Sequence, residues 1–253
     1  MEDDNGCSKS KGLMKFTIDF QHREFFIRNH AIEFEQLIPA AQLEIFQGHL
    51  HEFLIERQEK NHSKQSSYSP EDLFMAVHDL WRGDDFLRKT VTNKTFAEIA
   101  AELSEKKPLR LAFDQYFPRV IYPLSVKEKN DYASLLSLKS TLVNFSPVQG
   151  VVCGLMLCLS NDAELEEELT PESSEFSLFS RIPGNGVYFD QNAILNFEEW
   201  SSAGHRDYLM IVYAQERAVY IRQPDNPHAH ALKNVGYVYG DRLKDKLNPI
   251  LIR

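Results

Sequence analysis

The sequence predicts an α+β fold, with helices first and strands after, on three observations. Residues 40–57 repeat apolar side chains at helical spacing: Leu43, Phe46, Leu50, Phe53 and Leu54. From Leu109 the period changes, and LRLAFDQYF (109–117) and GVVCGLMLCLS (150–160) are short apolar runs of strand length. The stretch 183–214, PGNGVYFDQNAILNFEEWSSAGHRDYLMIVYA, turns at Gly184 and Gly186 and alternates through Val187–Asp190. After a polar excursion, a second, buried strand runs from Asp207 to Ala214 and opens on Arg206. The break near Pro108 is helix giving way to strand within one domain, 14–253, behind a disordered tail of residues 1–13.

Taken in order, alternation in Ala31–Phe34 predicts a short strand, and the stripe of 40–57 an amphipathic helix. Gln58–Tyr68 is polar and apolar-poor and reads as a mobile loop. Ser69 as N-cap and Pro70 at the first helical position then open a helix that turns Leu73, Phe74, Val77, Leu80 and Trp81 inward. A further helix is predicted to start on a capping box, Thr95 with Glu98, and to bury Phe96, Ile99, Ala100 and Leu103. Strands follow at 109–117, at VIYPL, at TLVNF (141–145) and at 150–160. Residues 161–175 form a second mobile loop with seven carboxylates and no base, either a solvated insertion or an acidic docking patch. The C-terminal segment, with GYVYG and an apolar end, reads as a structural cap packed on the strands.

Composition excludes several functions. Hydrophobic and charged contents of 43% and 26% suit a globular domain. A net charge of −9 with no Lys/Arg stripe argues against nucleic acid and against anionic membrane surfaces. No run of apolar residues is long enough to span a bilayer, and the polar N-terminus is not a secretory signal. Cys7, Cys153 and Cys158 are few and odd in number, which fits reduced thiols in a cytoplasmic protein. On a strand, Cys153 and Cys158 point to opposite faces.

The 183–214 stretch resembles the C-terminal part of the double-stranded β-helix, a jelly-roll or cupin-like core, of Fe(II)/2-oxoglutarate dioxygenases, most closely the phytanoyl-CoA hydroxylase-like branch. There a glycine, a strand ending near Phe-Asp, a metal-binding His, an Arg and an apolar strand follow one another. The segment FFIRNHAIEFEQLIPAAQLEIFQGHLHEFL (25–54) is similar to that family's opening, and to small uncharacterised chlamydial proteins, with Asn29-His30 in place of Asp-Gly. The resemblance implies N-terminal helices bracing the β-core and Asp114-Gln115 on a strand ahead of the first metal motif. It also implies Arg206 as the residue that grips the cosubstrate carboxylate.

Iron in this family is held by two His and one carboxylate. The resemblance puts the first pair near Ser137–Ser140, which reads SLKS, and the distal His at Asn196; no His occurs between residues 79 and 204. It therefore implies a catalytically degenerate protein, a small-anion-binding or protein-interaction module without a metal, with Arg206, Asn196 and Lys139 as its binding residues. The ligand is then a small carboxylate, or the partner a protein docking on 162–175. The alternative is an active oxygenase using Fe(II) and 2-oxoglutarate at an atypical site drawn from Asp114, Asp190, His228 or His230. Two blander readings stay open, Arg206 as a strand-end arginine paired with a carboxylate and Lys139 as a surface lysine. His49 and His51 point apart on a helix, and no zinc, Gly-x-Ser-x-Gly or phosphate-loop pattern is present.

Overall fold

The structure, a computed structural model, describes residues 17–62, 70–118, 139–160, 177–197, 206–223, 226 and 229–253. The first helix, α1 (Phe20–Asn29), starts on a reciprocal cap. The Asp19 carboxylate accepts from the His22 N–H, and the His22 ring accepts from the Asp19 N–H. It ends on His30 at φ 60°, a left-handed conformation that a glycine adopts without strain. Strand β1 (Ala31–Phe34) has the predicted bounds.

Helix α2 (Ala40–His62) buries Leu43, Phe46 and Leu50 and half-buries Phe53 and Leu54, as the stripe requires. It also runs on through residues 58–62, part of the predicted loop, because Gln, Glu and Lys are good helix formers. The helix predicted through Trp81 is split. Helix α3 (Pro70–Ala76) stops where residues 77–79 hydrogen-bond to a strand instead: the Tyr116 N–H donates to the Val77 carbonyl (3.0 Å) and the Asp79 N–H to the Asp114 carbonyl (2.9 Å). Asp79, at φ 51°, then turns the chain into a short 3₁₀ segment, Leu80–Arg82.

Helix α4 (Asp85–Val91) is capped by Asp84, which accepts from the Phe86 and Leu87 N–H groups. Helix α5 (Lys94–Ser104) buries the predicted face, but its cap is Asn93, which accepts from the Thr95 N–H at 2.9 Å, and not the Thr95–Glu98 box.

The strands β2 (Leu109–Phe117), β4 (Val148–Cys158), β5 (Gly186–Asp190), β7 (Tyr208–Tyr220) and β8 (Ile250–Ile252) join β1 in a curled antiparallel sheet of order β1-β5-β4-β7-β2-β8. A two-stranded ribbon pairs β3 (Ser140–Thr141) with β6 (Ile194–Leu195). The predicted strand at 141–145 is instead a helical turn, α6 (Leu142–Phe145). There the Thr141 hydroxyl caps the Asn144 N–H, and Leu142 and Phe145, three apart, both turn inward. The C-terminal segment caps the strands as expected and adds more, since β8 pairs with β2 at Leu109 and Arg110.

The two faces of the sheet carry different cores. On the outer face, Cys153, Leu155, Leu157, Ile211 and Tyr213 pack on the helices through residues such as Phe46, Phe96 and Ala100. On the inner face, Met156, Cys158, Val187, Phe189, Met210 and Val212 meet Leu142, Phe145, Leu195 and Phe197 from the ribbon side. Cys153 and Cys158 are buried free thiols on opposite faces, as alternation predicts. Gly154 lies under the Phe189 ring: a Cβ there would sit 2.2 Å from Phe189 Cζ, so the inner core needs this glycine.

Candidate functional site

Arg206 is 6% exposed and immediately precedes β7. Its even-numbered successors Tyr208, Met210 and Val212 line the inner face, which puts Arg206 at the entrance to that core. Asp207 anchors it. That carboxylate accepts from the Tyr116 hydroxyl (2.9 Å) and the Ser160 hydroxyl (2.7 Å), tying the start of β7 to β2 and to the end of β4. The Cys158 thiol and the Tyr208 phenol both sense the Arg206 charge. Burial pushes Cys158 up to about 12, with Arg206 the leading opposing influence, and pushes Tyr208 well up against the pull of the same guanidinium. Both groups therefore stay neutral, and neither supplies a nucleophile at ordinary pH.

The Ser140–Leu195 pair puts Lys139 and Asn196 at the same end of the ribbon. The two places that the resemblance names for metal ligands thus come together. Asn196 is half-buried and Lys139 exposed. Next to Asn196, the Phe197 ring packs on Phe117 (5.3 Å), Phe145 (5.1 Å) and Phe179 (6.3 Å), and Phe179 packs edge-on to Tyr208 (5.1 Å). A continuous aromatic wall therefore runs from Asn196 to the residue two places past Arg206.

A second polar neighbourhood, missed in the sequence apart from Asp114 and Gln115, surrounds the 3₁₀ segment. The Asp114 carboxylate accepts from the Leu80 (3.0 Å) and Trp81 (3.3 Å) N–H groups. Asp79 accepts from Trp81 Nε1 (3.2 Å) and Arg82 Nε (2.7 Å). Arg82 reaches on to the Leu247 carbonyl and to Asn248 Oδ1 (3.4 Å), and the Asn248 amide donates to the Leu111 and Ala112 carbonyls. Gln115 donates to the Phe74 and Tyr116 carbonyls and meets His78 Nδ1 at 3.2 Å. Burial, and then the Asp79 charge, push the Asp114 carboxyl up to about 8, against the two backbone donors. Burial pushes the His78 imidazole down.

The residues named for an atypical metal site lie in separate networks. Asp114 is held at the 3₁₀ segment. Asp190 receives His30 Nδ1 at 2.8 Å, and His230 Nδ1 meets the Tyr239 hydroxyl at 2.9 Å. His228, His205, Cys7 and the acidic stretch 161–175 lie outside the described residues. His49 and His51 are exposed, with His49 stacked on Phe86 at 4.2 Å. Among the described residues no group of three or more His, Cys, Asp or Glu side chains is placed to hold a metal, and no helix is long and apolar enough to cross a membrane.

No protein-family model and no curated protein matches the chain. Solved structures do. The non-heme alpha ketoglutarate dependent carbocyclase SnoK from nogalamycin biosynthesis is 14% identical, with 92% of this chain and 96% of that one covered and a TM-score of 0.59. CytC3, in a structure with Fe(II) and alpha-ketoglutarate, is 12% identical over 81% of each chain at a TM-score of 0.55. CT296 from Chlamydia trachomatis is 13% identical over 81% of this chain and 100% of its own, at a TM-score of 0.45. SnoK and CytC3 show the fold, a mixed α and β chain built on a curled antiparallel sheet.

Proposed function

We propose that this chain keeps the fold of the 2-oxoglutarate-dependent oxygenases, with its double-stranded β-helix, as a binding module that holds a small carboxylate at Arg206. One observation carries the reading. The Arg206 guanidinium is 6% exposed and lies at the entrance to the inner core, close enough to the Cys158 thiol and the Tyr208 phenol to act on both. A guanidinium grips a carboxylate through two parallel N–H donors, and low-dielectric walls strengthen that bond. The surrounding donors do not fit Fe(II), which takes imidazole and carboxylate in this fold. Asn196 offers a neutral amide and Lys139 a cation. The inner face therefore supports binding better than oxygen chemistry.

The test is thermal unfolding of metal-stripped protein under anaerobic conditions, with 2-oxoglutarate, Mn(II) or both. A ligand present at a hundred times its Kd stabilises the folded state by about 2.7 kcal/mol. The expected result is a rise in Tm with 2-oxoglutarate alone, lost in Arg206→Gln. A rise that needs both metal and acid would establish the active oxygenase instead. No rise under any condition would sink the carboxylate reading and leave protein docking through 162–175 in its place.

A further inference from the structure

A cavity of about 380 Å³ opens beside the 3₁₀ segment, between the end of α2, α3 and the C-terminal 3₁₀ segment Ala231–Val235. It is separate from Arg206, and its volume is within the range of small-molecule pockets. Its charges divide into a committed pair and an available cation. Both Asp79 oxygens are occupied, by Trp81 Nε1 and Arg82 Nε, and Arg82 spends its remaining nitrogens on Leu247 and Asn248. These two side chains are wall.

Arg57 is different. It is half-buried, its Nη1 donates to the His78 carbonyl at 3.3 Å, and its guanidinium lies 5.8 Å from the Phe53 ring centre. Among the described residues that carbonyl is its single acceptor, although a guanidinium carries five N–H donors. Among the described residues no carboxylate forms an ion pair with it, and Asp114 and Asp79 act on it through their charge alone. Burial of a cation with so few partners is costly, and a bound anion relieves that cost.

The rest of the lining selects the anion. Phe53, Met75 and Val235 present apolar surface to the cavity. The Asp79 and Arg82 charges balance each other, and Glu56 also lines the cavity, so a second negative charge on the ligand would meet a carboxylate and be repelled. Buried His78 is held neutral and adds no compensating charge. We infer that this cavity binds a small monocarboxylic acid with an apolar or aromatic body, its carboxylate on Arg57 and its body against Phe53, Met75 and Val235. The site does not depend on the Arg206 reading.

Isothermal titration calorimetry of the full chain carrying Arg206→Gln, which removes the other proposed carboxylate site, tests it with benzoate and hexanoate as probes, and with succinate and inorganic phosphate as contrasts. Saturable binding of benzoate or hexanoate is expected, with succinate and phosphate weaker. Loss of a charge-assisted pair in Arg57→Gln should weaken binding about tenfold or more. Because Arg57 also supports the His78 carbonyl, a second variant guards against misfolding. Asn234 is exposed on the cavity lining, and Asn234→Trp narrows the space without touching the cation. It should weaken the same probes. Absence of saturable binding, equal affinity on adding Arg57→Gln or Asn234→Trp, or a preference for phosphate or succinate would each overturn the assignment.

Discussion

At the entrance to the inner core, Arg206 stands among a thiol, a phenol and aromatic rings. Beside β2, hydrogen bonds join Asp79 to Arg82 and Arg82 to Asn248, and Asp114 accepts from the Leu80 and Trp81 N–H groups. The first neighbourhood is ordered by packing: rings meet at 5–6 Å and a glycine makes room for one of them. The second is ordered by hydrogen bonds, many to backbone groups that secondary structure leaves open. Order by contact costs a cavity when one side chain is removed, whereas order by hydrogen bonds leaves buried groups unpaired when one partner is removed.

The contrast can be broken by removing one element from each side. Phe197 is 2% exposed and touches three other rings, so Phe197→Ala should cost about 3–5 kcal/mol in urea unfolding. A cost under about 1 kcal/mol would show that packing does not hold the inner face. On the network side, Asn248→Ala removes the acceptor of the Tyr237 hydroxyl and of Arg82, and the donor to two strand carbonyls. The groups left behind are buried, and a loss of about 2–3 kcal/mol is expected by the same measurement.

The finest test is a slope. With the Asp114 carboxyl raised to about 8 by burial and by Asp79, the folded chain keeps a proton that the unfolded chain has lost above the ordinary carboxylate range. That stabilising contribution is complete below the ordinary range, falls as pH rises, and is gone above about 8. His78 acts in the opposite sense, because its lowered imidazole costs stability as pH falls through the usual histidine range. Asp114→Asn should flatten the fall between the ordinary carboxylate range and about 8, read as ΔG of unfolding against pH. An unchanged profile would mean that the carboxyl is ionised in the folded state.

Much of the fold was legible because its elements repeat at the period of their own backbone. The bounds of β1 and β2, the buried face of α5 and the opposed thiols of β4 all follow from alternation or helical spacing. The place of Arg206 just ahead of β7 was legible from the apolar run that follows it. The continuation of α2 to His62 and the turn at Leu142–Phe145 were not, because polar helix formers and short apolar runs fit more than one state.

From the sequence came the change from helices to strands near Pro108, the faces buried by α2, α5 and β4, and the departure from the metal-ligand pattern, all of which are local. Only the tertiary structure decided that the helix after Pro70 breaks to pair with β2, that Leu80 and Trp81 donate to Asp114 across more than thirty positions, and that Arg82 reaches Leu247 across 165. It alone put Arg57 on a cavity, with the His78 carbonyl as its acceptor among the described residues. Contacts between residues so far apart are set by the packing of whole elements, and no periodicity along the chain encodes them.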